Sequence, residues 1–196
     1  MSKPILQVVI ASTRPGRVGP SVAEWFAPRA VTDDRFAVEV IDLAEVNLPL
    51  LDEPNHPRLR RYTHQHTKDW SATVDRADAF VFVIPEYNYG FNAVIKNAID
   101  YLHAEWAHKP VGFVSYGGVA AGTRAVQMLK QVVTTLKMVP VFESVNIPFV
   151  AQFLDSDRKL QPNDVMEGAA TDMLAELARW TEALRTLRRP AVAPAA

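Results

Sequence analysis

Short apolar segments alternate with longer amphipathic segments along most of the chain. Five of the short segments are predicted as strands, at residues 5–11, 36–42, 79–84, 110–114 and, in two pieces, 139–141 and 144–147. The first and third are almost continuously apolar, which is typical of strands buried on both faces. The second alternates apolar with polar residues, and the fifth is broken around Pro140, so both are predicted nearer the sheet edges. Strands that alternate with helices indicate a doubly wound parallel sheet with right-handed crossovers.

Apolar residues at helical spacing predict the connecting helices. One begins at Pro20 or Ser21, and the others span residues 59–76, 93–102, 120–136 and 164–187. No linker or repeat divides the chain, so residues 1–188 are predicted as a single α/β domain. The Pro/Ala-rich residues 189–196 are predicted as a disordered tail. The proline-bearing connection at 43–57 is long enough to be functional or interfacial.

Composition and charge exclude several classes of protein. The 196 residues have a formal net charge of -1, which gives no basic field for nucleic acid. No cysteine is present, so disulfides, thiol redox chemistry and thiolate metal sites are excluded. No apolar run approaches the ~20 residues of a membrane span. The first predicted strand follows Pro4 without a signal peptide. We therefore expect a cytoplasmic protein without a nucleic-acid, membrane or metal partner.

The loop after the first predicted strand, residues 12–19, contains hydroxyls, glycines and two arginines immediately before a helix. Unpaired backbone N–H groups and the helix dipole favour an anion there, and arginine matches phosphate oxygens. The loop is therefore a candidate phosphate site, although it is neither Gly-x-Gly-x-x-Gly nor a Walker loop. The alternative, in which Ser12 caps the helix and both arginines are solvated, remains open.

The loops after the third and fourth predicted strands, residues 85–90 and 115–118, offer aromatic and backbone surface. Asn88 and Gly90 tolerate a positive φ, so backbone N–H groups can face a flat ligand. Gly117 and Gly118 permit close approach of a ring. The alternatives are ordinary turns, the first with two surface tyrosines and with Glu86 as a helix-terminus or loop carboxylate. Because parallel strands bring these loops to one sheet edge, the three together predict a site for a mononucleotide with a planar head group.

The three loops and the helix that follows the second resemble those of the NAD(P)H-dependent FMN reductase family of flavodoxin-like flavoproteins. The resemblance rests on Ser-x-Arg-x-x-Arg at 12–17, Pro-Glu-Tyr-Asn at 85–88, Lys-Asn-Ala-Ile-Asp at 96–100 and Ser-Tyr-Gly-Gly at 115–118. It implies the strand order 2-1-3-4-5. It assigns the FMN phosphate to Ser12, Arg14, Arg17, Val18 and Gly19. It assigns the flavin ring and ribityl chain to Pro85, Glu86, Tyr87, Asn88, Tyr89, Gly90, Ser115, Tyr116, Gly117 and Gly118.

The resemblance also implies a function. Electrons would pass from NAD(P)H through bound FMN to a small acceptor, by a ping-pong mechanism that needs no catalytic side chain. Free flavin, a quinone, an azo compound or a metal oxyanion are the acceptors it implies. A homodimer or homotetramer is also implied, built over the helix that carries Tyr101 and Leu102. Two alternatives remain open: an FMN electron carrier without NAD(P)H turnover, and a flavin-free ligand-binding domain.

Overall fold

Residues 3–188 are described by a computed structural model, in which five parallel strands form one sheet in the order β2-β1-β3-β4-β5. The strands are β1 (Ile5–Ile10), β2 (Ala37–Asp42), β3 (Ala79–Pro85), β4 (Pro110–Tyr116) and β5 (Val139–Ile147). This confirms the flavodoxin-like doubly wound fold and the strand order. The predicted tail at 189–196 lies outside the described residues.

Six α-helices connect and cover the strands in the described part of the chain. They are α1 (Gly19–Thr32), α2 (Leu43–Val46), α3 (Gln65–Asp75), α4 (Ala93–Asp100), α5 (Thr123–Thr135) and α6 (Asp164–Arg188). Short 3₁₀ turns occur at Pro57–Leu59, Ala104–Trp106 and Val150–Phe153. None of the helices within residues 3–188 combines the length and the apolar character needed to cross a bilayer.

The helix predicted at 59–76 is shorter in the structure, where α3 begins at Gln65. Arg60 has a left-handed backbone, with a φ of 50°, which ends the preceding 3₁₀ turn. The Glu53 carboxylate then accepts hydrogen bonds from the N–H groups of Thr63 and His64, just before α3. Hydrogen bonds from the long connection, which helical periodicity does not show, therefore hold the two residues before Gln65 outside the helix.

Side chains alternate between two core layers, one on each face of the sheet. On one face, α1 and α6 cover alternate residues of the strands, including Val8 and Val81. On the other face, α3, α4 and α5 cover Phe80, Phe82 and Phe113. The strands β3 and β4 are buried along their whole length, whereas β2 is partly exposed at an edge, as its alternating sequence predicts. The fifth strand runs continuously through Pro140 at the opposite edge, with a register shift against β4.

The carboxyl ends of β1, β3 and β4 meet at one edge of the sheet. The order in which strands are added across the sheet reverses here, because β2 lies on one side of β1 and β3 lies on the other. The Ala11 N–H donates to the Val83 carbonyl at 3.0 Å, and the Glu86 N–H donates to the Tyr116 carbonyl at 3.2 Å. These bonds bring the three predicted loops together. This reversal point is where ligands bind in open parallel sheets.

Candidate functional site

The loop at 12–19 contains a tight turn followed by an uncapped helix start. The Arg17 N–H donates to the Arg14 carbonyl at 3.0 Å, and Gly16 has a φ of 70°, as in a type II turn. Val18 precedes α1 and provides no side-chain cap, so the cap alternative for Ser12 is wrong. Within residues 3–188, the N–H groups of Val18 and Ser21 have no acceptor. The start of α1 is therefore an open anion cradle.

The two arginines of this loop have different environments. Arg17 donates to the Ser12 carbonyl at 2.9 Å and pairs with Asp42 at the end of β2. Its guanidinium therefore fastens the loop to the sheet. Arg14 is exposed and forms no ion pair with any residue that the structure describes. Of the two arginines predicted to contact a phosphate, Arg14 is the one whose guanidinium is available.

The Tyr116 hydroxyl lies beneath the start of α1. A Cβ added to Gly19 would stand 3.1 Å from this hydroxyl, and Tyr116 is only 5% exposed. Within the described residues the hydroxyl has no hydrogen-bond partner of normal geometry, although the Gly19 N–H lies close to its oxygen. Burial raises the pKa of the Tyr116 phenol well above its ordinary value, so it keeps its proton. Sequence analysis placed Tyr116 against a planar ring, but its hydroxyl lies at the predicted phosphate end.

An unpaired buried hydroxyl costs about 1–3 kcal/mol, and a phosphate oxygen beside Gly19 would provide the missing partner. The same position is favoured for an anion by the start of α1 and by the exposed guanidinium of Arg14. These groups therefore fit the phosphate of a mononucleotide.

The loop after β3 is a tight turn with a strained backbone. The N–H groups of Tyr87 and Gly90 donate to each other's carbonyls at 2.9 and 3.0 Å. Asn88 and Tyr89 have φ values of 49° and 72°, as in a type I′ turn. Positive φ was predicted at Asn88 and Gly90, so the second position is corrected to Tyr89. The N–H groups of Asn88 and Tyr89 have no acceptor among the described residues, and strain of this kind is frequent at ligand sites.

Glu86 connects this turn to α5. Its carboxylate accepts from the Arg124 N–H at 3.2 Å and forms an ion pair with the Arg124 guanidinium at 3.3 Å. The guanidinium also lies 3.9 Å from the centre of the Tyr89 ring. The alternative interpretation of Glu86 as a helix-terminus carboxylate is therefore correct. Pro85 is buried at the end of β3, where it pairs with Tyr116 in the register of the sheet.

The loop after β4 is largely engaged within the protein. Ser115 is fully buried, and its hydroxyl bonds to the Ala121 carbonyl at 2.8 Å and to Asn146 at 2.9 Å. It fixes the loop and is not accessible to a ligand, contrary to prediction. The Gly117 N–H donates to the Ile147 carbonyl at 3.2 Å. A Cβ on Gly118 would meet nothing within 4 Å, and its N–H has no acceptor within residues 3–188. Only Gly118 therefore offers an open amide here.

Sequence reasoning missed three residues that support these loops: Asp42, Arg124 and Arg158. Asp42 pairs with Arg17, Arg124 with Glu86, and Arg158 donates to the Gly16 carbonyl at 2.9 Å. The position of Arg124 in the first turn of α5, two residues after Gly122, could have indicated its role. The other two contacts join residues that are distant in sequence, and no local pattern predicts them.

The fold defines a class, the flavodoxin-like proteins, and the three loops meet at the carboxyl edge of its sheet. The family described as NADPH-dependent FMN reductase matches residues 5–152, and the chain belongs to this family. It is 40% identical over 149 residues to an NAD(P)H-dependent FMN reductase of Schizosaccharomyces pombe, and this match covers 74% of each of the two chains. It is 34% identical over 142 residues to the NAD(P)H-dependent FMN reductase LOT6 of Saccharomyces cerevisiae, covering 67% of this chain and 74% of that protein.

Solved structures confirm the fold. The flavoenzyme NAD(P)H:(acceptor) oxidoreductase FerB from Paracoccus denitrificans superposes with a TM-score of 0.71 at 19% identity. The match covers 92% of this chain and 98% of that one. The predicted family and fold class are both confirmed.

Proposed function

We propose that this chain binds FMN at the edge formed by the three loops and transfers electrons from NAD(P)H to a small acceptor. The observation that carries the proposal is the buried, unpaired hydroxyl of Tyr116 at the uncapped start of α1. Arg14, the Tyr116 hydroxyl and the N–H groups of Val18, Gly19 and Ser21 would hold the phosphate. Family membership supports the same ligand.

Bound FMN would supply the hydride and electron transfer between NAD(P)H and the second substrate. The protein contributes orientation and electrostatics. The open N–H groups of Asn88, Tyr89 and Gly118 face no acceptor in the described chain and would stabilise negative charge on a reduced planar ring. The exposed ring of Tyr89, held beneath Arg124, would contribute aromatic surface. No catalytic side chain is proposed, and the two substrates would use the same surface in turn.

The acceptor is proposed to be a free flavin, a quinone, an azo compound or a metal oxyanion. Relatives include a probable NADPH:quinone oxidoreductase of Oryza sativa and an NADPH azoreductase of a Bacillus strain. A steady-state survey of these acceptors with NADPH and NADH identifies the substrate. Parallel lines in double-reciprocal plots support ping-pong turnover, whereas intersecting lines reject it.

A visible spectrum of the purified protein, with and without NADPH, tests the whole proposal. Bound FMN gives the yellow flavin absorption, which is bleached when NADPH is added. Protein that neither binds added FMN nor oxidises NADPH refutes the proposal and leaves the flavin-free ligand-binding alternative. Protein that binds FMN without turnover in stopped-flow mixing is an electron carrier.

We also propose that two copies pair over α4 and α5 and that the enzyme works in the cytoplasm. A groove of about 780 Å³ between these helices is lined by Phe91, Met128 and Val132, among others. Tyr101, on the helix over which the dimer was predicted, is fully buried within the subunit. The exposed side chain of Met128 is available instead. Sedimentation velocity measures the subunit number, and cell fractionation tests the location.

A further inference from the structure

A turn that follows β5 contacts the loop at 12–19 from outside the sheet. Residues 154–161, here termed the clasp, fold back on themselves through an antiparallel bridge between Leu154 and Leu160. The Asp155 N–H donates to the Lys159 carbonyl at 3.0 Å and closes the turn. The clasp lies beyond residues 5–152, the part of the chain that matches the family.

The clasp has a defined conformation because one carboxylate organises it. One oxygen of Asp155 accepts from the N–H groups of Asp157 and Lys159, both at 2.9 Å. Its other oxygen accepts from the Gln161 side chain at 2.8 Å. Arg158 has a φ of 62° at the end of the turn. These bonds fix the backbone from which the Arg158 side chain extends.

Two hydrogen bonds connect the clasp to either side of the proposed phosphate position. Arg158 donates to the Gly16 carbonyl at 2.9 Å, at the tip of the loop. The Leu160 N–H donates to the Ser21 hydroxyl at 2.8 Å, in the first turn of α1. Leu160 is itself buried in the core. The open cradle around Val18 and Gly19 lies between these two contacts along the chain.

We propose that the clasp holds the loop at 12–19 in its phosphate-binding conformation, with Arg158 as a positioning residue, and so determines how tightly FMN is retained. The inference rests on the proposed function. Glycine has more conformational freedom than any other residue, so the loop would lose entropy on binding if Gly16 were unrestrained. Fixing the Gly16 carbonyl beforehand removes part of this cost. The effect is expected on FMN and not on riboflavin, which has no phosphate.

Arg158→Ala and Lys159→Ala form a matched pair for the test. Each removes one positive charge from the same exposed turn, but the Lys159 amine makes no ion pair or hydrogen bond in the described chain. Dissociation constants for FMN and riboflavin are measured by quenching of flavin fluorescence. We expect Arg158→Ala to weaken FMN binding about tenfold, since hydrogen bonds to charged groups are worth roughly this factor or more. Riboflavin binding stays the same, and Lys159→Ala changes neither affinity.

Asp155→Ala tests positioning separately, because it loosens the clasp while keeping the Arg158 guanidinium. We expect a loss of FMN affinity similar to that of Arg158→Ala, and partial recovery in Arg158→Lys, whose amine can reach the same carbonyl. Equal losses in Arg158→Ala and Lys159→Ala would mean that bulk charge alone acts. Unchanged affinity in Asp155→Ala, or equal losses of FMN and riboflavin, would also overturn the inference. Wild-type protein that binds neither flavin would instead refute the proposed function, and the clasp with it.

Discussion

The hydroxyls of Ser12 and Tyr87 lie 2.7 Å apart and form a hydrogen bond across 75 positions of sequence. Ser12 is almost completely buried at the end of β1, and Tyr87 begins the exposed turn after β3. The bond joins the loop that would hold a phosphate to the turn that would face a planar ring. The two halves of the site are therefore mechanically connected, even though different strands position them.

Tyr87→Phe removes this bond and keeps the aromatic ring. We expect a loss of about 1 kcal/mol in the free energy of unfolding, the usual worth of one hydrogen bond, together with a several-fold weaker affinity for FMN. Urea unfolding and flavin fluorescence titration measure the two effects. Tyr89→Phe is the control, because the Tyr89 hydroxyl has no hydrogen bond among residues 3–188. Identical behaviour of the two variants would show that the bond does not connect the loops.

Tyr116→Phe separates stability from cofactor affinity. The hydroxyl is buried without a partner, so its removal leaves the flavin-free protein as stable as before or slightly more stable. If the hydroxyl binds the phosphate, FMN affinity falls about tenfold, which corresponds to ~1.4 kcal/mol, and riboflavin affinity does not change. Thermal unfolding without flavin and titration with both flavins measure these outcomes. A variant that loses stability but keeps its FMN affinity would contradict the assignment of Tyr116.

The sequence predicted the sheet, its edges and the meeting of three loops at one edge because these depend on local apolar patterns and on the geometry of parallel strands. It did not predict which groups are available within the loops. Arg17 and Ser115 look like ligand-binding residues in sequence, yet each is engaged by partners, Asp42 and Asn146, from other strands. The Tyr116 side chain extends from the end of β4 to the start of α1, and no sequence pattern predicts this contact between distant residues. Long-range pairing decides these roles.

Lys109 predicts an unusual dependence of stability on pH. Its side chain is buried and donates to the carbonyls of Val74 and Asp75 at the end of α3, and burial lowers its pKa to about 8. In the unfolded chain the pKa is near 10.5. Between these values the unfolded state binds more protons, so the free energy of unfolding rises with pH above 8. Below pH 8 the amine is charged in both the folded and the unfolded state. Its destabilising contribution to the free energy of unfolding therefore no longer changes with pH.

Urea unfolding of wild type and Lys109→Met from pH 7 to 9.5 tests this behaviour. Stopping at 9.5 avoids Tyr62, Tyr101 and Tyr116, whose raised pKa values make the fold lose stability once unfolded tyrosine ionises near pH 10. The free energy of unfolding of wild type should rise relative to that of Lys109→Met by about 1–2 kcal/mol across this range. Lys109 would not titrate as described if the difference were independent of pH.

Gly19→Ala should disrupt the site through sterics alone. The new Cβ would stand 2.9 Å from Ile10 Cγ2 and 3.1 Å from the Tyr116 hydroxyl, closer than packed side chains permit. We expect a destabilisation of about 1–3 kcal/mol, as for other overpacked cores, and a marked loss of FMN affinity because the start of α1 must move. Gly168→Ala is the control, because its Cβ meets nothing within 4 Å in α6 and should stabilise the helix by about 0.5–1 kcal/mol. Urea unfolding and FMN titration compare the two variants. If Gly19→Ala kept both its stability and its FMN affinity, the start of α1 would not be packed as tightly against Tyr116 as the structure indicates.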